Sequence, residues 1–458
     1  MDRPLRVAVI GSGPAGIYAS DALMKKYDGD VAIDLFEKMP APFGLIRYGV
    51  APDHPRIKGI IKSLHKVMNK PELRLIGNVE YGKDITLSEL QSLYDAVIFA
   101  TGATGDRALN VPGEGADGSW GAGEFVGFYD GNPLFQRDWD LHAEKVGVVG
   151  VGNVAVDVAR VLAKTADELH VTEIPDNVYE ALKKNKATEV HMFGRRGPAQ
   201  AKFTPMELKE LDKSPTIQVI VDPEDIHYDE ASEVTRRSSK IQDMVCSILE
   251  QYAIREIEDR PHKLYIHFFE SPVEILTKDG KVTGLRTERT ELDGNGGIHG
   301  TGNYKDWELG AVYHAVGYRS DPAEEIPFDS KHHVIPNIAG RIVREAGSEE
   351  TLDGLYTTGW IKRGPVGLIG NTKGDANETV DCLLEDLENG VLAEPETTDP
   401  DAVLGLLRDK GVEMTSWEGY HALEAYEHEL GEKEDREQKK VVEWDDMVVH
   451  SRVSQKCW

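Results

Sequence analysis

The sequence predicts an α/β chain made of two three-layer domains, each with a largely parallel sheet between helices. Short apolar runs rich in β-branched residues alternate with helical patterns along most of the chain. A glycine-rich turn joins such a run to a helical pattern twice, at residues 11–16 and at residues 150–155. Because each turn lies where a strand passes into a helix, we expect the same βαβ unit twice.

The first βαβ unit begins almost at the N terminus. Residues 5–10, with the sequence LRVAVI, predict a buried strand, and a helix from near Pro14 to about Lys26 follows. Proline suits the first turn of a helix because the N–H that it lacks has no helical partner there. Residues 31–37 predict the second strand. This order is typical of one half of a Rossmann-like dinucleotide-binding domain.

The later elements repeat and complete this pattern. Residues 145–150 predict a strand, and a helix from Asn153 to about Ala163 follows. A β-meander is predicted with strands at residues 262–269, 273–277 and 282–287 and a hairpin turn at Asp279-Gly280. Further strands are predicted at residues 93–101, 189–193, 311–317 and 355–360, and another helix from about Asp375.

The second unit is therefore predicted to be inserted into the first. Residues 1–104 and 325–458 form one predicted domain, and residues 105–324 form the other. From about residue 391 the first domain carries an extension that is dense in Glu and Asp. Because charge runs are usually solvated, we expect this extension to be a helical appendage surrounded by water.

Composition narrows the class of protein. The net charge of −28 argues against general nucleic-acid binding, because such proteins need positive charge to hold phosphates. No apolar stretch approaches the roughly 20 residues of a membrane span. The first strand begins so early that no signal peptide precedes it, which predicts a cytoplasmic protein.

Three widely separated cysteines, Cys246, Cys382 and Cys457, limit the redox chemistry. No Cys-x-x-Cys motif occurs, which argues against a dithiol centre and against a zinc or iron–sulfur site with cysteine ligands. We therefore expect inert cysteines and no metal site. Any electrons that the protein carries must pass through a bound organic cofactor.

The first glycine-rich turn has the features of a pyrophosphate-binding loop. Gly11 permits the tight turn, Gly13 lets the backbone approach a pyrophosphate, and Gly16 lets the helix pack close to the strand. Glu37, at the end of the second strand, is placed to accept hydrogen bonds from both hydroxyls of an unphosphorylated adenosine ribose. The alternative is an ordinary strand–helix turn with Glu37 as a surface acid.

The second glycine-rich turn differs from the first at two points. Ala155 replaces the last glycine, and the strand at residues 189–193 is followed by Gly194-Arg195-Arg196 instead of ending in an acid. A carboxylate would repel a 2′-phosphate, whereas two guanidinium groups bind phosphate in a fork. The pair therefore favours NADP over NAD, and two solvated loop arginines are the alternative. Two dinucleotides in one chain indicate hydride transfer between a nicotinamide and a flavin.

Longer runs resemble a known family, the FAD-containing ferredoxin–NADP⁺ reductases of the adrenodoxin reductase type. The resemblance covers about residues 5–390 and implies an enzyme that oxidises NADPH and passes electrons singly to a ferredoxin-type iron–sulfur protein. The runs that carry it are GSGPAG at 11–16 with Glu37, GLIRYGVAPDHP at 44–55, VGVGNVA at 149–155, GRRG at 194–197 and WIKRGPVGLIG at 360–370.

The resemblance also implies which residues bind the two cofactors. The residues expected at FAD are Gly11, Gly13, Ala15, Gly16, Glu37, Leu45 and Ile85, with Trp360, Gly367, Leu368 and Ile369 over the isoalloxazine end. The residues expected at NADP are Arg107, Gly152, Asn153, Val154, Ala155, Arg195, Arg196, Glu207 and Gly367. Glu207 is alternatively a surface acid of its helix, and Arg107 is alternatively a plain surface residue.

His54 is expected near the flavin, where it relays a proton or shapes the electron-donating edge, with Glu210 as its partner. A structural role of His54 in its turn is the alternative. Ferredoxins are typically acidic, so their docking face on this acidic chain should be locally basic. Two clusters meet that condition, or else are solvated helix faces: Arg56, Lys58, Lys62 and Lys66, and Arg236, Arg237 and Lys240.

Other functions stay open at this point. A related electron-delivering flavin subunit, like the small subunit of glutamate synthase, would carry cysteines for iron–sulfur clusters, and this chain has no such motif. A flavin monooxygenase uses two such loops but would lack the WIKRGP run. A non-catalytic nucleotide-sensing or scaffold protein would bind the nucleotides without reduction of a flavin by NADPH.

Overall fold

The computed structural model describes residues 3–54, 58–367 and 369–452. Arg56, Leu368 and Cys457 lie outside the described residues, and of Ile369 only the backbone is described. Cys246 and Cys382 are free thiols, and both are buried. Along the described ranges, no helix is both long enough and apolar enough to cross a lipid bilayer.

The described residues alternate between strands and helices in the manner that the sequence predicts. The strands are β1 (Leu5–Ile10), β2 (Val31–Glu37), β3 (Leu73–Gly77), β4 (Ala96–Phe99), β5 (Gly105–Asp106), β6 (Ser119–Gly121), β7 (Lys145–Val149), β8 (Glu189–Phe193), β9 (Ile217–Val221), β10 (His262–His267), β11 (Glu270–Lys278), β12 (Lys281–Leu292), β13 (Ile298–Glu308), β14 (Ala311–His314), β15 (Tyr318–Arg319), β16 (Asn337–Ile338), β17 (Arg341–Val343) and β18 (Thr351–Thr357).

The helices connect these strands. They are α1 (Pro14–Lys26), α2 (Leu45–Tyr48), α3 (Ile61–Met68), α4 (Leu87–Leu93), α5 (Ala122–Tyr129), α6 (Asn153–Ala163), α7 (Ala166–His170), α8 (Asp176–Leu182), α9 (Pro205–Leu211), α10 (Glu230–Ser238), α11 (Lys240–Ile254), α12 (Trp360–Arg363), α13 (Ile369–Glu388), α14 (Ala402–Asp409), α15 (Trp417–Glu432) and α16 (Trp444–Arg452). Short 3₁₀ turns lie at Pro198–Gln200 and Pro223–Asp225.

The first sheet contains the first predicted βαβ unit. Its strand order is β16-β17-β18-β4-β1-β2-β3, and β1 pairs in parallel with both β2 and β4. Val7 faces Ile33 on one side and Ala96 on the other. Every residue of β1 is buried, as expected for a central strand that is covered on both faces. The helix α1 begins at Pro14, as predicted, and packs against α13.

The second sheet has the order β6-β14-β7-β8-β10-β9, and each neighbouring pair is parallel. The helix α6 follows β7 over the residues that the sequence predicts. Two α/β sheets with helical connections confirm the predicted fold class. The parallel arrangement places the carboxyl ends of β7 and β8 at one edge, where dinucleotide-binding proteins of this class hold their ligand.

The predicted meander is right in its hairpin and wrong in its first strand. β10 lies in the parallel sheet between β8 and β9, and Leu264 and Ile266 are fully buried there. The antiparallel sheet is β11-β12-β13 instead, with its turn at Asp279 and Gly280, whose φ angles are 53° and 77°. Alternation of apolar residues predicts a strand but does not show which strand is its partner.

The helix predicted from about Asp375 begins earlier, at Ile369. Gly370 and Gly374 lie in its first turns and weaken the local helical pattern, because glycine has a low helix propensity. The packing of this helix, α13, against α1 and β18 outweighs that weakness. Tertiary contacts therefore decide where the helix begins.

The chain folds as two compact units. The first comprises Met1–Val50, His54–Gly105 and Tyr318–Trp458, and the second comprises Ala51–Asp53 and Asp106–Gly317. Residues 318–324 group with the first unit, where Tyr318 stacks on Trp360 at 6.0 Å between ring centroids. The assignment of the first unit to FAD and of the second to NADP stays a prediction.

The C-terminal segment is part of the core of the first unit, so the prediction of a solvated appendage is wrong. Trp417, Tyr420 and Leu423 of α15 and Met447 of α16 are buried in the same hydrophobic cluster as the strands β1 and β2. Full burial of one large apolar side chain contributes about 1.5–3 kcal/mol. The many acids of the segment conceal this apolar face, whose residues recur at helical spacing.

Candidate functional site

The first glycine-rich turn has the backbone geometry that its sequence predicts. The N–H of Gly11 donates to the carbonyl of Phe36, 2.8 Å away, which ties the turn to the end of β2. Gly11 has a φ of 109°, and a Cβ there would lie 2.5 Å from the carbonyl oxygen of Ala100. A side chain at this position would therefore clash with the backbone after β4.

Gly13 leaves open space at the N terminus of α1. It is the N-cap of that helix, and a Cβ on Gly13 would meet nothing within 4 Å. The backbone of Gly44 approaches Gly13 on the other side, since a Cβ on Gly44 would lie 3.3 Å from the Gly13 Cα. N–H donors beside open space at a helix N terminus fit a pyrophosphate group.

Glu37 is buried, so the alternative of a surface acid is wrong. Its Oε2 accepts hydrogen bonds from the backbone N–H and the hydroxyl of Ser12, at 3.1 and 2.6 Å. Its Oε1 accepts the N–H of Met39, at 2.9 Å. Burial raises the pKa of Glu37 above its ordinary value, although these hydrogen bonds oppose the change. Oε2 accepts two of these hydrogen bonds and Oε1 accepts one, which leaves acceptor capacity on Oε1 for a ribose hydroxyl.

Three other residues predicted at FAD differ in their environments. Ala15 lies in the first turn of α1, and a Cβ on Gly359 would come within 2.5 Å of its methyl group. Leu45 is half-buried at the start of α2. Ile85 is fully buried in the core of the first unit. Because the Ile85 side chain is used for packing, any contact of this residue with a cofactor falls to its backbone.

The segment after β18 contains the remaining residues predicted at FAD. Trp360 begins the short helix α12, and its ring stacks on Tyr318 with an angle of 26° between the planes. Gly367 is exposed. Its φ of 88° is a backbone conformation that residues with a side chain rarely adopt. Leu368 lies outside the described residues, so its predicted role and that of the Ile369 side chain stay predictions.

Asp375 organises this segment and was missed by the sequence analysis. Its Oδ2 accepts the hydroxyl of Thr358 at 3.0 Å and the N–H of Gly359. Its Oδ1 pairs with Lys362 at 2.9 Å and with Arg363. Burial alone would raise the pKa of Asp375. The donors and cations around the carboxylate outweigh burial and lower this pKa below its ordinary value. A single aspartate inside a helical pattern carries no motif, so only the fold shows its role.

The second glycine-rich turn repeats the geometry of the first. The N–H of Gly150 donates to the carbonyl of Phe193, 2.9 Å away, at the end of β8. A Cβ on Gly152, the N-cap of α6, would meet nothing within 4 Å. The side-chain carbonyl of Asn153 accepts the N–H of Thr204 at 2.9 Å, which joins the turn to the segment before α9.

Val154 and Ala155 follow in the first turn of α6. Ala155 is fully buried, so the methyl group that replaces the last glycine of the motif is accommodated within the core of the second unit. Val154 is partly buried and packs against the same core. This second turn therefore keeps the shape of a pyrophosphate loop without a third glycine.

Arg195 and Arg196 follow β8 as predicted. The carbonyl of Arg195 accepts the hydroxyl of Thr290 at 2.7 Å, and the carbonyl of Arg196 accepts the N–H of Phe269 at 3.2 Å. These bonds hold the backbone while the Arg195 side chain is exposed. The Arg196 Nε is buried and has no hydrogen-bond partner among the described residues. An orphaned cationic donor fits an anionic ligand such as a phosphate.

Glu207 belongs to a buried charge cluster, so its alternative as a surface acid is wrong. It lies 3.7 Å from Arg160, whose side chain is 1% exposed. Asp53 accepts both Nε and Nη2 of Arg160 at 2.8 Å and Nζ of Lys164 at 2.8 Å. Burial alone would raise the pKa of Asp53. The cations Arg160 and Lys164 outweigh burial and hold this pKa far below its ordinary value. Arg160 was missed because it lies within an apolar helical pattern.

Three further predicted residues gain definite positions. The N–H of Arg107 donates to the carbonyl of Gly317 at 2.9 Å, and its side chain is exposed. His54 is buried, with 3% of its surface exposed. Glu210 is partly exposed and accepts Nζ of Lys213 at 2.9 Å. The predicted pairing of Glu210 with His54 stays a prediction.

Known proteins match this chain in sequence over most of its length. A family model described as pyridine nucleotide-disulphide oxidoreductase matches residues 5–194. The chain is 36% identical over 461 residues to the mitochondrial NADPH:adrenodoxin oxidoreductase of Arabidopsis thaliana, covering 97% of this chain and 95% of the relative. It is 38% identical over 456 residues to the NADPH-ferredoxin reductase FprA of Mycobacterium tuberculosis, covering 96% and 97%.

A solved structure agrees with these relatives. The structure of Mycobacterium tuberculosis FprA in complex with NADPH superposes with a TM-score of 0.91 and 37% sequence identity, covering 98% of this chain and 100% of that one. At this identity and coverage, the similarity extends over both units and the C-terminal segment. The chain therefore belongs to the family of the NADPH:adrenodoxin oxidoreductases and the FprA-type NADPH-ferredoxin reductases.

Proposed function

We propose that this chain is an NADPH–ferredoxin oxidoreductase that holds FAD in its first unit and NADPH in its second. The observation that carries the proposal is the difference between the two glycine-rich turns. The first is followed by a buried carboxylate, Glu37, and the second by Arg195 and Arg196. An acid selects a free ribose hydroxyl, whereas guanidinium groups select a ribose phosphate.

The residues of the first unit fit FAD. The open side of Gly13 and the N terminus of α1 accommodate a pyrophosphate, and Glu37 has acceptor capacity for the adenosine ribose. Asp375 fixes the turn at Gly359, which positions Trp360 beside it. These groups bind and orient, because the bond chemistry of a flavoenzyme belongs to its cofactor.

The residues of the second unit fit NADPH. Gly152 leaves the same open space at the N terminus of α6 as Gly13 does at α1. The orphaned Nε of Arg196 and the exposed guanidinium of Arg195 supply positive donors for a 2′-phosphate. In the first unit the corresponding position carries an acid, which would repel such a phosphate.

The reaction then divides between cofactors and protein. FAD held by the first unit would supply the chemistry, which is acceptance of a hydride from NADPH and release of single electrons, while the residues of the chain would bind and orient both dinucleotides. Glu37 and the arginine pair hold the outer ends of the two dinucleotides, so that the reactive ends are oriented rather than free to tumble. His54, whose burial excludes bulk water, is proposed to hold or relay a proton through its ring nitrogens.

A basic surface on α3 is the proposed docking site for the ferredoxin. Lys62 and Lys66 are exposed and four residues apart, so they lie on one face of this helix. In the other predicted cluster, Arg236 is already held by Asp243 and Glu250 at 3.0 and 2.8 Å. The lysines of α3 are therefore the better candidates for attraction of an acidic partner.

A cytoplasmic location also stays a proposal. The free, buried thiols of Cys246 and Cys382 suit a reducing compartment, where disulfides are rare. Some relatives are named as mitochondrial enzymes. Fractionation of the source cells, with the chain detected by antibody, distinguishes the cytoplasm from an organelle.

Rapid-mixing kinetics test the proposed activity. The purified protein should be yellow, and its flavin absorbance should bleach without oxygen on mixing with NADPH and much more slowly with NADH. Cytochrome c reduction should then increase when an acidic ferredoxin is added. A protein that binds both nucleotides without bleaching is a nucleotide sensor. A preference for NADH would contradict the interpretation of the arginine pair.

Charge reversal tests the docking face. Lys62→Glu with Lys66→Glu should raise the apparent KM for ferredoxin severalfold, with an effect that shrinks as salt screens the charges. Bleaching by NADPH should be unchanged, because neither lysine is placed at the nucleotides. Arg237→Glu with Lys240→Glu, which reverses two exposed charges on the other cluster, is the matched control. Equal ferredoxin kinetics in both variants would remove α3 from the docking face.

A further inference from the structure

Two histidines and a glutamate converge on the surface of the first unit, outside the residues proposed for FAD. His65 lies on α3, whereas His421 and Glu424 lie one turn apart on α15. One ligand atom of each residue lies within 4.8 Å of the other two. The residues are far apart in the chain, so no spacing motif in the sequence announces the cluster.

The distances within this His65–His421–Glu424 cluster are too long for hydrogen bonds and suit a bound ion. The His65 Nε2 lies 3.5 Å from the Glu424 Oε1, and the His421 Nδ1 lies 3.6 Å from the Glu424 Oε2. A good N–H···O hydrogen bond spans about 2.7–3.2 Å. Ligand atoms on a tetrahedral zinc ion, each about 2.0–2.1 Å from the metal, are roughly 3.4 Å apart.

The two imidazole rings are held in place by aromatic neighbours. Phe43 stacks on His65 at 5.4 Å with an angle of 10° between the planes. Trp417 packs edge-on against both rings, at 4.9 Å from His65 and 4.3 Å from His421. The indole N–H of Trp417 donates to Asn69 at 2.8 Å, which fixes the tryptophan in turn. Rings that are locked before binding form a better metal site than mobile ones.

One of the three proposed ligand atoms makes no hydrogen bond to any described residue. The Nε2 of His65 is buried, and within the described residues it has no hydrogen-bond partner. Glu424 receives one further contact, from the hydroxyl of Tyr420 at 3.3 Å, which orients the carboxylate. A buried imidazole nitrogen without a partner is costly unless something occupies the space that it faces.

The donor set selects the class of ion. Two imidazoles and one carboxylate suit zinc and similar first-row cations, whereas calcium and magnesium prefer oxygen ligands throughout. The side chains of His65, His421 and Glu424 are 21%, 43% and 22% exposed. A fourth coordination position therefore faces solvent and would be taken by water.

We propose that His65, His421 and Glu424 form a binding site for one zinc-like divalent cation, which joins α15 of the C-terminal segment to α3. The site is independent of the proposed reductase activity. Phe43, which stacks on His65, connects the site to the first glycine-rich turn. The N–H of Phe43 donates to the carbonyl of Ser12 in that turn, at 3.1 Å. The bound ion would thus stabilise the C-terminal segment beside the loop that is proposed to hold FAD.

Calorimetric titration with Zn²⁺ tests the site on untagged, chelator-treated holoenzyme. The expected result is one ion per chain, with binding weakened at least about tenfold in Glu424→Gln and in His421→Ala. His299→Ala is the matched control, because His299 also faces a glutamate, Glu291, at 3.5 Å, and within the described ranges the pair belongs to no group of three ligands. Binding in that variant should equal that of the unchanged protein.

Two measurements keep the test independent of folding. Glu424→Gln should keep the flavin spectrum and the thermal midpoint of the metal-free protein, and only the rise of the midpoint on addition of Zn²⁺ should disappear. Co²⁺ should give the visible bands of a four-coordinate site in the unchanged protein and not in the variant. Absent zinc binding, or binding that the ligand variants leave unchanged, would overturn the proposal.

Discussion

Arg47 and Glu427 form a buried bidentate ion pair that joins the N-terminal motif GLIRYG to the C-terminal segment. The Arg47 Nη1 lies 3.0 Å from the Glu427 Oε2, and the two side chains are 4% and 0% exposed. Glu427 also accepts the N–H of Val441 at 2.9 Å and the amide of Gln438 at 2.8 Å. The Glu427 carboxylate therefore connects α15 and the chain around Gln438 and Val441 to Arg47 in α2.

Glu427→Gln should destabilise the protein strongly. It leaves the buried guanidinium of Arg47 without its counter-charge, and loss of one partner of a buried pair costs about 3–5 kcal/mol. Glu429→Gln, on the same helix, is the control, because the pair of Glu429 with Lys433 is exposed and such pairs contribute about 0–1 kcal/mol. Urea unfolding followed by circular dichroism measures both. Equal midpoints in the two variants would show that the buried pair is dispensable.

The ion pair of Asp53 with Arg160 should make stability depend on acid pH. The pKa of Asp53 is lowered in the folded protein, so its contribution is complete above the ordinary aspartate value of about 4 and declines as pH falls below it. Asp53→Asn should therefore cost roughly 2–3 kcal/mol or more near pH 7. The difference from the unchanged protein should shrink at lower pH.

Unfolding midpoints of Asp53→Asn and the unchanged protein, measured at several pH values between neutral and acid, show whether their difference shrinks as pH falls. Asp306→Asn is the control, since Asp306 pairs with Arg286 on an exposed strand and should show little difference at any pH. A stability difference for Asp53→Asn that stays constant down to acid pH would mean that the carboxylate is not held in its charged form by the cluster.

Replacement of the arginine pair should reduce the preference for NADPH. A hydrogen bond to a charged group contributes about 1.5–3 kcal/mol, which is roughly a 10- to 150-fold change in affinity. Arg195→Gln and Arg196→Gln should each lower kcat/KM for NADPH within this range and leave that for NADH nearly unchanged. Steady-state reduction of ferricyanide with each nucleotide measures the ratio. Parallel losses with both nucleotides would point to a structural effect.

Asp375→Asn should weaken FAD retention. The amide keeps the size of the side chain but removes the charge that faces Lys362 and Arg363 and replaces one acceptor by a donor. A loss of about 1–3 kcal/mol in this buried network predicts at least a several-fold drop in FAD affinity. The flavin-to-protein absorbance ratio after gel filtration measures it. Asp381→Asn, on the exposed side of the same helix, should keep the full ratio.

The strand–turn–helix elements at both glycine-rich turns could be predicted because adjacent residues determine them. Gly11 donates an N–H to Phe36 near the end of β2, at 2.8 Å, and Gly150 donates one to Phe193 at the end of β8, at 2.9 Å. The same spacing of glycine, apolar run and helix produces the same local geometry twice. Errors arose where the partner of an element mattered, as for β10, whose apolar alternation suits a parallel and an antiparallel neighbour equally well.

By itself, the sequence determined the two βαβ units, the family, and the acid and the arginines that distinguish the two proposed nucleotide sites. Only the tertiary structure decided which charged residues are buried. Three buried carboxylates show this: Glu427, Asp53 and Asp375. From the sequence alone, each is expected on a solvated helix or loop surface, because charged residues are mostly exposed. Each is buried because a cation from a distant part of the chain, or from another turn, compensates its desolvation. Such compensation depends on contacts made in three dimensions, which no local pattern encodes.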